Sequence, residues 1–380
     1  MDQKKKFFLF KQSSNFCAVP WNHVKIDTNG DVSTCVRGTE TLGNLTVNNI
    51  NDILENPKLK EVRDNLYNDV PSTNCQRCTT METVSQGQSY RFLRDLYNPM
   101  FIKSSVDYSN SSEFVLNGVD LHWSSLCNLK CITCWAHQSS SIAKEQNLPV
   151  QHTPNVAANS AIDFIVNNQH TLKEIYMSGG EPTMINHNLR LLKKLRTDLD
   201  FTIRVNTNMM FDDNNPVIRE LKRFPKVLFT ISADALTDRF NYIRRGAEWS
   251  RFMKNLDHLM KLHFSWRVNS VYFVGTALHL PETQEYFMKN YNINDFTINQ
   301  VSMGQYSIRC RNLPDHIKAI VKEKLTNYSN KYVENLNLIG QLQNCLAELQ
   351  YPQSESYIEF FDNVDKIAGT NWKKTFSELV

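Results

Sequence analysis

The stretch Leu126-Cys127-Asn-Leu-Lys-Cys131-Ile-Thr-Cys134-Trp135 places three cysteines within eight residues, in the spacing Cys-x3-Cys-x2-Cys. It follows the apolar segment Val115–Trp123, which is predicted to be a β-strand. Three thiols in one loop can face one metal centre, and cysteine thiolates hold iron–sulfur clusters, normally four to a cubane. Three ligands would leave one iron open to a non-protein ligand. Zinc is the alternative, although zinc sites usually use paired Cys-x2-Cys motifs.

The composition of the chain is that of an ordinary globular protein. Of 380 residues, 41% are hydrophobic and 21% charged, which excludes a disordered chain, and the net charge is +3. This mild charge gives no indication of a nucleic-acid partner. No apolar run approaches the ~20 residues that span a bilayer. The apolar run Phe7–Phe10 is shorter than the ~7 residues that a signal peptide needs, so we expect a cytoplasmic protein without a membrane partner.

Nine cysteines are present, and seven of them fall within the first 134 residues. A reducing cytoplasm disfavours structural disulfides, so clustered cysteines indicate metal or redox chemistry. Cys310 and Cys345 have no near partner in the sequence, and we expect them to be small buried hydrophobic residues.

Predicted strands and helices alternate through residues 114–305. The six strands are Val115–Trp123, Leu172–Met177, Phe201–Asn206, Val227–Ser232, Ser265–Phe273 and Asp295–Val301. This order predicts an α/β fold with a parallel sheet, a partial (β/α)6 TIM-like barrel with its chemistry at the carboxyl ends of the strands. Residues 1–90 are predicted to be a small amino-terminal module, residues 91–113 a linker with a short helix near Tyr90–Tyr97, and residues 306–380 a helical carboxy-terminal extension.

A second motif, Ser178-Gly179-Gly180-Glu181-Pro182-Thr183, follows the next predicted strand. The two glycines allow the backbone to approach a ligand closely. The Glu181 carboxylate suits a cationic group, and Pro182 restricts the backbone where the chain leaves the turn. By itself the motif fits an ordinary strand-to-helix turn. One βα unit after the three-cysteine loop, it indicates a binding site.

Together, Cys127-Asn-Leu-Lys-Cys131-Ile-Thr-Cys134 and Gly179-Gly-Glu-Pro182 resemble the radical S-adenosylmethionine (radical SAM) superfamily over residues 115–305. The resemblance implies a [4Fe–4S] cluster on the three cysteines. S-adenosylmethionine (SAM) would chelate the fourth iron, with Glu181 taking its amino group, and one electron would cleave it to methionine and a 5′-deoxyadenosyl radical. The family often has an aromatic residue where this chain has Thr133, so Trp135 or main chain would pack on the adenine.

The resemblance extends to two further positions. Ser232 ends a predicted strand where related enzymes contact SAM, and Arg244 lies where they place an arginine for the SAM carboxylate. A guanidinium suits bidentate carboxylate binding, although Arg244 could equally be a solvated surface cation. Asn206 and Asn269 also end strands, where they either line the pocket or cap the strands.

The amino-terminal cysteines form another pattern: Cys17-x12-Gly30-x4-Cys35, then Leu42-Gly43-Asn44-Leu45, a predicted helix at Ile50–Leu66, and Cys75-x2-Cys78. The pattern resembles the auxiliary-cluster modules called SPASM and twitch. It implies one auxiliary [4Fe–4S] cluster on these four cysteines, in a module that here precedes the barrel and usually follows it. A four-thiolate structural zinc site is the alternative.

These resemblances imply a radical SAM enzyme that abstracts a substrate hydrogen atom and carries an auxiliary cluster. The implied substrate is a peptide or protein, with a small metabolite as an alternative, and the implied reductant is a flavodoxin or ferredoxin. No side chain is assigned a catalytic role.

Two alternatives remain open. An electron carrier or scaffold would need a fourth protein ligand at the loop, from His122 or His137. An RNA-modifying enzyme would use the basic clusters Lys193–Arg196 and Arg244–Arg245.

Overall fold

The computed structural model describes residues 3–84, 92–301 and 305–380. Its strands are β1 His23–Ile26, β2 Asp31–Ser33, β3 Gly43–Asn44, β4 Gly118–Leu121, β5 Glu174–Met177, β6 Thr202–Thr207, β7 Val227–Ser232, β8 Ser265–Tyr272 and β9 Phe296–Gln300. Its first ten α-helices are α1 Gln3–Lys11, α2 Val19–Asn22, α3 Ile50–Leu54, α4 Pro57–Tyr67, α5 Gln76–Val84, α6 Phe92–Phe101, α7 Ser140–Glu145, α8 Asn155–Asn167, α9 Asn186–Lys194 and α10 Pro216–Leu221. The remaining helices are α11 Thr237–Ile243, α12 Trp249–Leu259, α13 Leu280–Tyr291, α14 Asp315–Lys331, α15 Leu336–Glu348, α16 Ile358–Ala368 and α17 Trp372–Thr375.

The chain divides into two compact units. Unit 1 consists of residues 1–126, 149–205 and 214–227, and unit 2 of residues 127–148, 206–213 and 228–380. Each unit therefore draws on several separate stretches of the sequence. None of the described helices is both long enough and apolar enough to cross a membrane.

In unit 1 the strand order is β3-β2-β1-β4-β5-β6. Strands β4, β5 and β6 are parallel, as the alternation of strands and helices predicts. Strand β1 also pairs in parallel with β4, with His23 opposite Gly118. The antiparallel hairpin of β1 and β2 turns at Gly30, whose φ of +88° suits glycine. Strands of the amino-terminal module thus extend the sheet beyond β4.

In unit 2 the strand order is β7-β8-β9, and both pairs are parallel. Each unit thus contains three parallel strands that alternate with helices, β4 to β6 in unit 1 and β7 to β9 in unit 2, so the predicted α/β class is confirmed. Helices α14 to α17 confirm the predicted helical carboxy-terminal extension. Cys310 and Cys345 are 1% and 0% exposed in the apolar core there, as expected for small buried hydrophobic residues.

Two predicted segments differ from the structure. The single helix expected over Ile50–Leu66 is two helices, because Asn56 caps the second and Pro57 occupies its first turn. The short helix predicted near Tyr90–Tyr97 is seen as α6, although Tyr90 lies outside the described residues. The segment predicted as a linker packs into the amino-terminal core through α6 and the buried Tyr108. Its predicted start at residue 91 lies outside the described residues, as do residues 302–304 near the predicted end of the barrel. The domain boundaries otherwise remain predictions.

A cluster of buried aromatic and aliphatic side chains forms the amino-terminal core, with Leu9, Phe16, Val19, Trp21, Tyr97, Phe101 and Tyr108 among its members. Beside it lies Arg63, which is completely buried. Its guanidinium donates to the main-chain carbonyls of Pro20 (3.0 and 2.9 Å), Leu54 (3.4 Å) and Ser111 (2.7 Å). One cation therefore ties together three segments that are distant in sequence.

We expect the replacement Arg63→Met to lower the free energy of unfolding by about 3 kcal/mol, because it leaves buried carbonyl groups without a donor. Arg196→Met serves as a matched control, since the Arg196 side chain is 61% exposed and pairs with the exposed Asp198. That control should leave the free energy of unfolding nearly unchanged. Chemical denaturation followed by circular dichroism measures both, and equal losses would contradict the role of Arg63.

Candidate functional site

The three-cysteine loop is held on one side by serines at the start of helix α7. The Cys127 amide donates to Ser140 Oγ at 3.0 Å, and the Cys127 carbonyl accepts from Ser141 Oγ at 2.7 Å. Ser139, which caps α7, donates to the Leu129 carbonyl at 2.6 Å. Short hydroxyl side chains commonly satisfy main-chain groups in this way. They hold the backbone around Cys127 in a defined conformation.

The other side of the loop is bound to the segment that follows helix α11. The Lys130 amide donates to the Arg245 carbonyl, and the Ile132 amide donates to the Ile243 carbonyl, both at 2.9 Å. These two bonds bracket Arg244. The main chain therefore brings the arginine predicted from the sequence to the cysteine loop.

The Arg244 guanidinium lies beside the Cys131 thiol. Its Nη1 is 3.9 Å from Cys131 Sγ, and its Nη2 forms a 2.8 Å ion pair with Asp234. Arg244 also interacts electrostatically with Cys127 and Cys134. The side chain is 7% exposed, so it is not a solvated surface cation. Its buried Nε lacks a hydrogen-bond partner among the described residues and is a donor available to an anionic ligand.

Burial raises the pKa of Cys131, and the Arg244 cation partly offsets this effect. Burial, together with Cys131, raises the pKa of Cys134 to about 12. These two groups are therefore neutral thiols at neutral pH until a metal displaces their protons. A buried cation beside them favours the thiolate form that a cluster requires.

The Gly-Gly-Glu-Pro motif packs against the residue that precedes the cysteine loop. Gly179 and Gly180 have φ values of +78° and +41°. A Cβ atom on Gly180 would lie 2.2 Å from the Leu126 carbonyl oxygen, and one on Gly179 would lie 1.8 Å from His122 Cδ2. The Glu181 amide donates to that Leu126 carbonyl at 2.7 Å. Both glycines are therefore required sterically for the backbone to pass this close.

Glu181 is completely buried. Its Oε1 accepts from the Thr183 amide at 3.1 Å and from Thr183 Oγ1 at 2.8 Å, which orients the carboxylate. Pro182 opens the short 3₁₀ turn that follows. The sequence did not predict that Thr183 would donate hydrogen bonds to the Glu181 carboxylate.

The three polar residues predicted at strand ends all lie in unit 2. Ser232 ends β7 and pairs in register with Asn269 of β8, whose Oδ1 accepts from Asn299 at 2.5 Å. The Oδ1 atom of Asn206 is buried and lacks a hydrogen-bond partner among the described residues. The roles of these residues remain predictions.

All four amino-terminal cysteines line one cavity of about 560 Å³, a volume that includes space open to solvent. Cys35 interacts electrostatically with each of Cys17, Cys75 and Cys78. Burial is the main cause that raises the pKa of all four thiols, that of Cys75 to about 12. The structure therefore brings together four cysteines that span 62 residues of sequence.

The same cavity contains cations and amides that suit an anionic group. Arg94 and Arg37 line it, and both favour the ionised form of Cys78. The main chain at Arg37 and Gly38 forms hydrogen bonds to Cys35 that favour its thiolate. Hydrogen bonds to sulfur and nearby charge are the means by which proteins tune iron–sulfur clusters. The donor sets of both cysteine groups therefore fit the predicted clusters.

In the described part of the chain, no three His, Cys, Asp or Glu side chains are placed to hold a single metal ion. The ligand roles of the seven cysteines therefore remain predictions. The histidines considered as fourth ligands are placed otherwise: His122 lies 3.6 Å from Asp27 and packs on Gly179, and His137 is exposed.

A family model described as the radical SAM superfamily matches residues 122–290. The chain has a radical SAM domain. A second model, described as SPASM, an iron–sulfur cluster-binding domain, matches residues 17–79. These matches confirm the predicted family, the amino-terminal position of the SPASM domain, and the cofactors that the two domains imply, which are a [4Fe–4S] cluster with SAM and a second iron–sulfur cluster.

Solved structures with similar folds include native anSMEcpe with bound AdoMet and the Cp18Cys peptide, at 18% identity and a TM-score of 0.44, covering 58% of this chain and 61% of that one. Streptococcus suis SuiB bound to S-adenosylmethionine matches at 17% identity and a TM-score of 0.43, covering 74% of this chain and 60% of that one. The chain thus spans about three fifths of the length of these proteins. Both TM-scores lie below 0.5, so these likenesses do not bear on function. No curated protein matches the chain.

Sequence reasoning missed several residues at the two sites. Asp234, 1% exposed, holds Arg244 in place, and Asn208 Nδ2 lies 3.8 Å from Cys127 Sγ. Arg94 lies beside the amino-terminal thiols. An acidic residue inside the apolar segment Ile231-Ser-Ala-Asp-Ala235 was an available signal for Asp234.

We expect Gly180→Ala to abolish metal binding by the three-cysteine loop, because the added Cβ would clash with the Leu126 main chain. Gly369→Ala is the matched control: its φ is also positive, at +67°, but no atom lies within 4 Å of the added Cβ. Iron analysis after anaerobic reconstitution measures both variants. With about four irons per cubane, Gly180→Ala should lose about half of its iron. Full iron content in that variant would contradict the close approach.

Proposed function

We propose that this protein is a radical SAM enzyme that abstracts a hydrogen atom from a peptide or protein substrate and uses an auxiliary [4Fe–4S] cluster. The observation that carries the proposal is the placement of the buried Arg244 guanidinium against the three-cysteine loop, 3.9 Å from Cys131 Sγ. Three thiolates leave one iron of a cubane without a protein ligand, as SAM chelation requires. The match to the radical SAM superfamily supports the same assignment.

The residues of the chain hold and orient the reactants. Cys127, Cys131 and Cys134 would hold the cluster, whose negative charge Arg244 would partly balance. When bound, the cluster supplies the electron that cleaves SAM to methionine and a 5′-deoxyadenosyl radical, which removes a hydrogen atom from the substrate. Arg244 Nε is the donor that we assign to an anionic group of SAM.

Glu181 is assigned to the SAM ammonium because a buried carboxylate binds a cation strongly when water is excluded. Thr183 holds one of its oxygens, so the carboxylate is oriented before SAM binds. Gly179 and Gly180 carry no side chain, which leaves their main chain accessible to the same ligand. We assign these residues and Pro182 to SAM binding.

The amino-terminal site would provide four thiolates and thus no vacant iron, so its task would be to transfer an electron. A flavodoxin or ferredoxin is the reductant that we propose. A peptide substrate is favoured over RNA because four of the five cationic side chains in the predicted basic clusters are paired with carboxylates. These ion pairs are Lys194–Asp163, Arg196–Asp198, Arg244–Asp234 and Arg245–Glu145.

The activity is tested with SAM and dithionite under anaerobic conditions. We expect the reconstituted protein to bind about eight irons, four for each cubane, and to form 5′-deoxyadenosine slowly without substrate. Replacement of Cys127, Cys131 and Cys134 by Ala should halve the iron and abolish 5′-deoxyadenosine, measured by mass spectrometry. The proposal fails if that variant still cleaves SAM.

The two cysteine sets should differ in role. We expect Cys75→Ser with Cys78→Ser to leave SAM cleavage without substrate largely intact, because the loop cysteines remain. Turnover of a peptide substrate should fall more than tenfold, since the electron then lacks its auxiliary acceptor. Circular dichroism and an iron content near four per chain serve as controls for folding and for the loop cluster. A folded variant with its loop cluster that makes no 5′-deoxyadenosine would contradict this division.

A further inference from the structure

A buried histidine faces a buried aspartate between strands β1 and β4. His23 Nε2 lies 3.4 Å from Asp120 Oδ1, and the two side chains are 1% and 2% exposed. Neither residue belongs to the predicted ligand sets. Buried ionisable groups are costly, so this pair, hereafter the His23–Asp120 pair, requires a physical explanation.

The hydrogen bonding of His23 determines how many protons the pair holds. His23 Nδ1 lies 2.8 Å from the Thr34 carbonyl oxygen. A carbonyl only accepts, so Nδ1 carries a hydrogen, and in neutral His23 the Nε2 atom is then an acceptor. An ionised Asp120 is also an acceptor. The two would repel each other unless one additional proton lies on Nε2 or on the carboxylate, so the pair is a site for one proton.

The surrounding charges favour the protonated form of the His23–Asp120 pair. Glu174 and Arg204 form a buried 2.7 Å ion pair on the neighbouring strands, and the Tyr97 ring from helix α6 lies 5.2 Å from the His23 ring at an interplanar angle of 54°. Lys25, farther along β1, pairs with Asp27. The buried groups Asp120, Glu174 and Arg204 together carry one net negative charge, which a proton on the pair neutralises. Although burial opposes the charged imidazole, Asp120, Thr34 and Glu174 raise the pKa of His23.

The strand register makes room for the histidine. His23 lies opposite Gly118 in the parallel ladder. A Cβ atom on Gly118 would lie 2.7 Å from His23 Cδ2 and 3.2 Å from Phe101 Cζ. Only glycine at this position lets the imidazole lie across β4 toward Asp120.

The pair is coupled to the amino-terminal cysteine site through the main chain. The Thr34 carbonyl that binds His23 belongs to the peptide bond that precedes Cys35. Asp120 interacts electrostatically with Cys35, and so does the Tyr97 hydroxyl. A charge that changes on the pair therefore acts on a site whose reduction potential depends on nearby charge.

We propose that the His23–Asp120 pair binds its one proton more tightly once the four-cysteine site holds an added electron, so that proton uptake accompanies electron uptake at a pH where the oxidised site leaves the pair unprotonated. One electron enters that site from a reductant, which is dithionite in the experiment below, and one proton enters the pair from solvent, so the net charge of the region does not change. The inference rests on the proposed auxiliary cluster at Cys17, Cys35, Cys75 and Cys78. The pair would then make electron storage at that cluster dependent on pH.

The experiment uses the full chain with Cys127, Cys131 and Cys134 replaced by Ala, so that only the auxiliary cluster is present. Its midpoint potential is measured by dithionite titration followed by electron paramagnetic resonance at several pH values. We expect the potential to fall as the pH rises, because loss of the proton leaves negative charge beside the cluster. Asp120→Asn should abolish this dependence, since its amide donates to neutral His23 Nε2 and no proton titrates. His23→Asn, which keeps a donor for the Thr34 carbonyl, should do the same.

His187→Asn is the matched control, because His187 Nε2 likewise contacts a main-chain carbonyl, that of Thr153 at 3.0 Å. It should retain the pH dependence of the parent protein. A parent potential that does not change with pH overturns the proposal, as does an unchanged slope in both Asp120→Asn and His23→Asn. If the protein binds no iron, the auxiliary cluster itself is absent and the proposed role of the pair fails with it. Iron analysis distinguishes this outcome from a bound cluster whose potential does not depend on pH.

Discussion

The parallel pairing of β1 with β4 is the constraint on which unit 1 depends. It joins a strand of the SPASM domain to the first strand of the predicted barrel, with His23 opposite Gly118. The hairpin that follows β1 brings Thr34 back beside His23. A one-residue slip in register would turn the side chains of β1 to the other face of the sheet. His23 would then no longer face Asp120.

Buried cations organise each cysteine site. Arg244 lies beside the Cys131 thiol and is neutralised by Asp234, while Arg94 lies beside the amino-terminal thiols. An unpaired buried charge is costly, so such side chains remain buried only where an opposite charge or a polar group compensates them. Asp234 is that group for Arg244, and the Ser14 carbonyl accepts from the Arg94 guanidinium.

The close approach of main chains determines where glycine is needed. Gly179 and Gly180 leave no room for a Cβ against His122 and Leu126, and Gly118 leaves none against His23. In each case the glycine allows a functional or supporting side chain to lie where a larger residue would exclude it. The Gly179–Pro182 motif, which the sequence indicates as a ligand contact, is thus also needed for the chain to pack against His122 and Leu126.

The sequence by itself determined the local chemistry: the spacing of the seven cysteines, the glycine pair before Glu181 and the alternation of strands and helices, because these depend on residues near one another in the chain. It could not reveal that Ile50–Leu66 breaks at Pro57 or that helix α6 packs into the amino-terminal core. Only the tertiary structure paired His23 with Asp120, Arg244 with Asp234 and Cys17 with Cys75. These contacts join distant segments, and strand register and burial, which no local pattern encodes, decide them.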